Sequence, residues 1–454
     1  MSVFHIKRGY DIPIGGRAEP RIEQAPPPTE MALRPVDIRG IKPRLLISPG
    51  DTVSVGTPLV EDKNDPRILL TSPAAGTIST VNRGPRRRLD EVVIEIAEGE
   101  ESYVEFPART QEEIEKDLEG SVAISNLLKA GLWPYFRQRP FSKVAAPDDK
   151  PQAIFVSAME TEPLLGDPTI MLQDHESEFK AGMAVLPKLT EGNVYLCIAE
   201  DPAVELTCLT NPEHATLHRF SGPHPAGSVG THIHHIEPLR KDQVIWYLKA
   251  VDVAAIGHFF LTGRCPTERI YAVVGEGASE RNYFRSRNGV PIHSLPGSQA
   301  SNESMRFISG SILTGMQLEG SAFMGFYDTT LTVLPEGGER RFLGWLAPGL
   351  KINSACRTYL SAFFQDKEYP FDTSMHAGHR AIVPIGAYEK VMALDIQPTF
   401  LIKSLIYGDL EEAERLGLLE CGEEDVALCS YVCPAKTDFC GILRTSLDAY
   451  EKEG

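Results

Sequence analysis

Hydrophobic and polar positions alternate with different periods along the chain, and each change of period predicts a change of architecture. From Met31 the apolar residues come in short runs cut by turns: positions 44–48, the turn Pro49-Gly50-Asp51, positions 53–55, then Leu59-Val60. Positions 68–71, 77–81 and 92–96 continue the pattern around Ser72-Pro73-Ala74-Ala75-Gly76. Short strands at this spacing predict a small flattened β-barrel over residues 31–108. Residues 1–30 precede it as a short strand followed by an extended arm, because Pro20, Pro26, Pro27 and Pro28 forbid regular structure.

From Gln111 the period becomes helical. Thr110 can cap, Glu112, Glu113 and Glu115 complement the positive helix end, and Ile114, Leu118 and Val122 fall on one face, with 124–128 continuing as helix. After a segment rich in aromatic residues, positions 153–156 read as a short buried strand, and Glu160-Thr161-Glu162-Pro163 stands at its carboxyl end. Ligands of open parallel sheets bind at that end. A helix over 177–186 and a strand over 193–198 follow, so residues 109–263 predict an α/β domain.

Positions 219–238 read as a loop, broken by Gly222, Pro223, Pro225, Gly227 and Gly230 and carrying His224, His232, His234 and His235. It feeds a buried strand over 244–248 and a second strand or short helix over 251–260. On a strand, His232 and His234 would share one face, but no neighbouring cysteine or acid completes a tetrahedral metal set. Histidines satisfied by backbone groups or by a neighbouring protein of an assembly are the alternative. Beyond Gly263, short strands with glycine turns occupy 264–350, and Gly275-Glu276-Gly277 is too incomplete to indicate a dinucleotide site. Residues 351–454 read as helical, with helices over 398–405 and 409–416, the latter closed by Gly417.

A length of 454 residues implies two to four domains. The 62 acidic residues outnumber 45 Lys and Arg for a net charge of −17, which argues against nucleic acid as a partner. No stretch approaches eighteen apolar residues and the amino end lacks a signal-peptide core, so a soluble cytoplasmic chain is expected, with membrane contact only through partners. Cys197, Cys208, Cys265 and Cys356 are too dispersed for a disulfide framework, and Cys208, His214 and His218 read as packing or surface residues. Lys63 reads as a solvated turn tip, and Arg86, Arg87 and Arg88 as a solvated hairpin or a docking patch for an acidic neighbour.

Two places carry candidate chemistry. Trp133, Phe136, Arg137, Arg139, Phe141 and Lys143 could stack on a flat quinone ring and donate to its carbonyls, with Glu160, Glu162, His232 and His234 as further contacts. The alternative is aromatic core with surface arginines. At the carboxyl end, Cys421, Cys429, Cys433 and Cys440 are separated by seven, three and six residues, unlike the C-x2-C-x2-C of a cubane cluster. Structural thiols, zinc and iron–sulfur are the three readings.

Motifs in every domain resemble one family. His224-Pro225-Ala226-Gly227 with Gly230-Thr231-His232-Ile233-His234, then Trp246, Asp252-Val253, Ala255-Ile256-Gly257, Phe260 and Thr262-Gly263, look like the A subunit of the bacterial Na+-translocating NADH:quinone oxidoreductase. Ile308-Ser309-Gly310-Ser311, Glu339-Arg340 with Gly344-Trp345, and Pro384 through Leu401 extend the likeness, while Gly50-Asp51 through Pro58-Leu59 resembles the biotinyl/lipoyl barrel-sandwich module. The resemblance implies a multidomain α/β and α+β protein. Its parts would be a biotinyl/lipoyl-like barrel-sandwich hybrid domain over 31–108, a Rossmann-like domain over 109–263, a β-grasp-like (SLBB-type) domain over 264–350 and a helical domain over 351–454. It also implies a peripheral component on the cytoplasmic side of the bacterial inner membrane, partnered by subunits B to F and chiefly by the membrane-embedded B subunit. The complex passes electrons from NADH to ubiquinone and exports Na+. NAD, flavins and an iron–sulfur centre would reside on other subunits, with ubiquinone the one ligand expected near this chain. The second domain also resembles the flavin subunit of NADH:quinone oxidoreductases and the C subunit of the Rnf complex, which place a glycine-rich loop before the strand. Residues 132–143 contain no glycine, so a flavin phosphate lacks its cradle. A flavin and iron–sulfur dehydrogenase and a purely structural adaptor remain the rival readings.

Overall fold

The computed structural model describes residues 2–453 apart from 299–303, 321, 338–343, 351, 356–358, 365–366 and 376–377. Most of the Glu339-Arg340 motif, and Cys356, lie outside the described residues.

A seven-stranded sheet forms the centre. Five strands run parallel in the order Ser2–His5, Thr216–Ser221, Asn193–Ala199, Ala153–Ala158, Ile245–Lys249, and the antiparallel Arg137–Arg139 and Lys143–Val144 complete one edge. The chain steps outward from Ala153–Ala158 through the next two strands, then returns to place Ile245–Lys249 on the other side of it. That reversal leaves a crevice beyond the carboxyl ends of Ala153–Ala158 and Ile245–Lys249, where two successive connections diverge.

Residues 251–260 belong to the helix Ala250–Thr262, closed by Gly263 at φ 69. Their continuous hydrophobicity reflects burial against the sheet and against the helix Glu176–Val185, and such burial erases the periodicity that separates helix from strand. The two helices touch backbone to backbone. A Cβ on Gly257 would stand 1.7 Å from the Glu178 carbonyl oxygen. The helical pattern expected from Gln111 onward splits into Gln111–Lys116 and Gly120–Lys129, the first opened by a Thr110–Glu113 capping box.

The barrel-sandwich consists of a four-stranded sheet (Glu30–Leu33, Leu89–Ile96, Gly76–Arg83, Thr52–Val53) and a three-stranded one (Pro43–Leu45, Pro58–Asp62, Leu69–Thr71). A six-stranded sheet holds Glu268–Val274, Tyr283–Arg287, Met305–Ser309, Met316–Leu318 and Thr330–Pro335, and its edge strand Ile22–Gln24 comes from the amino-terminal arm. The arm is therefore a stitch through the molecule. Ser2–His5 joins the parallel sheet, Ile12 and Ile14 enter the core of the carboxyl-terminal helices, and Ile22–Gln24 pairs with Tyr283–Arg287. Prolines restrict the arm's own conformations without preventing edge pairing, which needs donors on one side only.

The carboxyl-terminal helices include Pro398–Tyr407, Leu410–Arg415, Glu423–Val432 and Phe439–Glu453. Asp409 caps Leu410–Arg415 by accepting from the Glu412 amide, and Gly417 takes the left-handed φ of 98 that ends the turn.

Candidate functional site

A cavity of about 350 Å³ opens at the sheet's reversal point. Glu160 and Glu162 enter it from the turn after Ala153–Ala158, Tyr247 and Lys249 from the neighbouring strand, and Arg137 and Lys143 from the edge hairpin. The six-stranded sheet contributes Ser309, Ser311, Thr314 and Tyr327, the barrel side Arg34, Asp37 and Arg39, and the carboxyl-terminal helices Glu423 and Glu424. Gly227 lets the start of helix Val229–Ile236 approach the acidic turn, since a Cβ there would lie 2.8 Å from the Thr161 amide nitrogen.

Arg137 is held between two rings, its guanidinium carbon 4.7 Å from the centre of Tyr247 and 4.8 Å from that of Tyr327. Tyr247 is 2% exposed, and its hydroxyl has no hydrogen-bond partner among the described residues. A buried hydroxyl without a partner is costly unless a ligand or water completes it. The two carboxylates are held differently. Glu160 Oε1 accepts from the amides of Thr161 and Glu162, both at 2.9 Å, whereas Glu162 Oε2 accepts from the hydroxyls of Ser311 and Thr314. Burial and the neighbouring Glu160 charge push Glu162 up to about 7, and burial raises Glu160 as well.

Behind this wall, Arg139 is 1% exposed and bonds Glu424 and, at 3.2 Å, Asp425. Lys143 pairs with Glu451 and Arg39 with Glu423, so the rim of the cavity is tied to the carboxyl-terminal helices. Arg444 donates to the Phe141 carbonyl at 2.8 Å through Nη1.

Of the sequence-derived candidates, Arg137, Lys143, Glu160 and Glu162 line the cavity. The others are placed elsewhere. Trp133 and Phe136 are fully buried, stacked at 5.1 Å with Trp246 edge-on at 5.4 Å from Trp133, and Trp133 Nε1 donates to the Ala145 carbonyl. They are core, as their size favours. Phe141 packs against Tyr450, outside the cavity wall, and Arg139 faces the acids behind it. His232 and His234 stand on the helix Val229–Ile236, not on a strand, so two positions apart they diverge. His232 is buried against Phe220 with Nε2 on the Ala226 carbonyl at 3.0 Å, and burial pushes it down to about 3, leaving it neutral. His234 accepts from the Asp395 amide through Nε2 at 3.0 Å and faces Glu420 through Nδ1 at 2.9 Å, bridging to the carboxyl-terminal helices.

Arg137–Arg139 and Lys143–Val144 form a packed hairpin, with Trp133 and Phe136 just before it in the core. Among the described residues no three of the carboxyl-terminal thiol sulfurs lie within 4.8 Å of one another. Cys433 Sγ lies 3.1 Å from the Tyr388 hydroxyl and Cys440 Sγ donates to the Glu423 carbonyl. Among the described residues the one group of three ligand atoms close enough for an ion is Glu115, Glu213 and His214, where Glu213 is exposed. A second, larger cavity of about 830 Å³ lies between the helices Glu176–Val185 and Ala250–Thr262 and the six-stranded sheet, with the segment 103–108 at its edge. Its arginines already have partners: Arg285 with Asp174 at 2.7 Å, Arg264 with Glu105 at 2.9 Å and Arg269 with Asp252 at 3.1 Å.

Comparison with known proteins decides the family. Residues 4–97 match the NqrA N-terminal barrel-sandwich hybrid domain and residues 118–265 the NqrA second alpha/beta domain. The A subunit of the Na(+)-translocating NADH-quinone reductase of Neisseria meningitidis is 40% identical over 453 residues, covering 100% of both chains, and that of Histophilus somni is 42% identical over 450 residues, covering 99% of both. This chain belongs to the NqrA family, the A subunits of the Na(+)-translocating NADH-quinone reductase. NqrA is thus one part of a multi-subunit oxidoreductase complex. No helix among the described residues is long and apolar enough to cross a membrane. Among solved structures, an NAD+-reducing [NiFe]-hydrogenase in the air-oxidized state shows 12% identity and a TM-score of 0.39, covering 77% of this chain and 68% of that one.

Cavity residues that sequence reasoning passed over come mainly from other domains. Ser309 and Ser311 had a signal in the Ile308-Ser309-Gly310-Ser311 run, where two hydroxyls flank a glycine turn. Tyr247 and Lys249 sat at the end of a strand already recognised as buried. Nothing local marks Arg39, Glu423 or Glu424.

Proposed function

We propose that this chain serves the complex at its quinone end, receiving a ubiquinone head group in the cavity at the sheet's reversal point. The observation that carries the reading is Arg137 clasped between Tyr247 and Tyr327 in the wall of that cavity. A guanidinium fixed by two rings is a preorganised donor for a quinone carbonyl, and the unpartnered Tyr247 hydroxyl offers a second one. Met159, Met171, Leu165 and Leu318 supply apolar surface for the ring, and the volume falls at the lower end of the roughly 300–1,000 Å³ of small-molecule sites. NAD, flavins and the iron–sulfur centre then reside on other subunits, and the chain rests on the cytoplasmic side of the membrane, docked chiefly on the B subunit. In this reading residues 109–263 are a Rossmann-like domain and residues 264–350 a β-grasp-like one.

The test is titration of the purified chain with a short-chain ubiquinone, followed by tryptophan fluorescence. Arg137→Ala removes one charged hydrogen bond, about 1.5–3 kcal/mol, so affinity should fall about tenfold to hundredfold, whereas Phe141→Ala should leave it unchanged. Equal affinities for wild type and Arg137→Ala would overturn the reading. Flavin bands or stoichiometric iron in the purified chain would overturn the placement of the cofactors.

A further inference from the structure

We infer that Glu160 and Glu162 act as one proton-sharing pair, with Glu162 as the acid that protonates the quinone oxygen when the complex reduces it. This rests on the quinone reading above. The assignment within the pair follows from what each carboxylate touches. Two backbone amides donate to Glu160 Oε1, and the Lys249 ammonium lies close to it, so Glu160 is the member that keeps its charge. Among the described residues Glu162 has hydroxyl donors alone, from Ser311 and Thr314, and it stands beside the Glu160 carboxylate on a half-buried turn. Like charges this close cannot both be ionised cheaply, so the single proton resides on Glu162. The Ser311 oxygen accepts from the amides of Leu313 and Thr314, both at 3.1 Å, and its hydroxyl lies within reach of Glu162 and of the Thr314 hydroxyl.

Other charged groups face the pair. Asp167 on the same loop and Glu424 from the carboxyl-terminal helices are acidic, Cys440 is a neutral thiol, and Lys249 is the cation that acts most strongly on Glu160. Arg137, Lys143, Arg34 and Arg39 line the same cavity. The acids favour the protonated pair, and the cations together with the Ser311 and Thr314 hydroxyls favour the charged one. Burial and the Glu160 charge raise Glu162 well above the ordinary carboxylate range, which suits it to both giving and regaining a proton near neutral pH.

The quinone takes two electrons from the redox centres of the complex and two protons, giving the quinol. As one carbonyl oxygen gains electron density, its O–H bond forms while the O–H bond of Glu162 breaks and leaves the carboxylate. Water supplies the proton for the second oxygen, and repulsion from Glu160 draws another proton from water onto Glu162.

The test uses the assembled complex carrying Glu162→Gln, assayed for quinone reduction against pH, beside quinone binding by the same variant. Glu162→Gln should keep quinone affinity within about threefold of wild type, lower turnover at least tenfold and remove the pH limb near 7. Ser311→Ala is the second variant. Losing a donor to the ionised carboxylate should move that limb upward while turnover below it persists. Unchanged turnover and pH profile in Glu162→Gln, with binding intact, would overturn the proton-donor role and leave the quinone site standing. Absence of any quinone binding that Arg137→Ala weakens would remove both.

Discussion

Replacing Arg139 by Met tests the junction between the α/β sheet and the carboxyl-terminal helices. The Arg139 side chain is 1% exposed and Asp425 0%, while Glu424 at 24% reaches the cavity, so Arg139 pairs with one fully buried acid and one half-buried acid. Methionine keeps the aliphatic stem and removes the charge. Breaking a buried pair from one side leaves the partner uncompensated, at about 3–5 kcal/mol, far more than a surface pair costs. The pH dependence gives the sharper signature. Burial raises Asp425 from its ordinary 3.8 to about 6 even with Arg139 present. A carboxyl whose folded value is raised holds its proton more tightly in the native state, so its stabilisation is complete below the unfolded value and is lost as pH rises through about 6. Without Arg139 the values rise further, and protonation at low pH relieves much of the penalty. Arg139→Met should therefore unfold well below wild type at pH 8 and close much of that gap at pH 5.5, as read by differential scanning calorimetry. Adding Asp425→Asn to Arg139→Met should recover part of the loss at pH 8. A loss below about 1 kcal/mol at pH 8, or one independent of pH, would refute the view that this pair carries the junction.

Two further predictions concern packing. Gly257→Ala would drive its new methyl against the Glu178 carbonyl between two helices, so the helices must separate, at a cost of about 1–3 kcal/mol in chemical denaturation, and a neutral result would show that the pair has slack. His234→Ala removes the acceptor for the Asp395 amide and the partner of Glu420, which should lower stability by about 1–2 kcal/mol while leaving quinone affinity unchanged; a loss of affinity instead would place His234 in the site.

Local signals mark much of the framework correctly. The cap at Thr110, the cap at Asp409 and the left-handed Gly417 are formed by residues within a few positions of one another, so the chain text alone contains the physics. The acidic turn at Glu160 is legible for the same reason: strand, turn and proline are contiguous. Legibility ends where burial is complete. Ala250–Thr262 is apolar all round and loses its period, and the histidines of Val229–Ile236 read as loop because glycines and prolines crowd the approach to that helix.

Residue type and near neighbours were enough to read the element chemistry, the net negative charge and the family. The cavity needed the folded chain. Arg137 is clasped only because Tyr247, on the parallel sheet, and Tyr327, on the turn before Thr330–Pro335, close on it, and Glu162 meets the hydroxyls of Ser311 and Thr314 only because residues about 150 positions later fold against it. Trp133 and Phe136, which looked like ligand-stacking rings, went to the core because rings of that size gain more from burial than from standing in a polar cavity. Solvent exclusion and long-range convergence are properties of the folded surface, and no spacing along the chain encodes them.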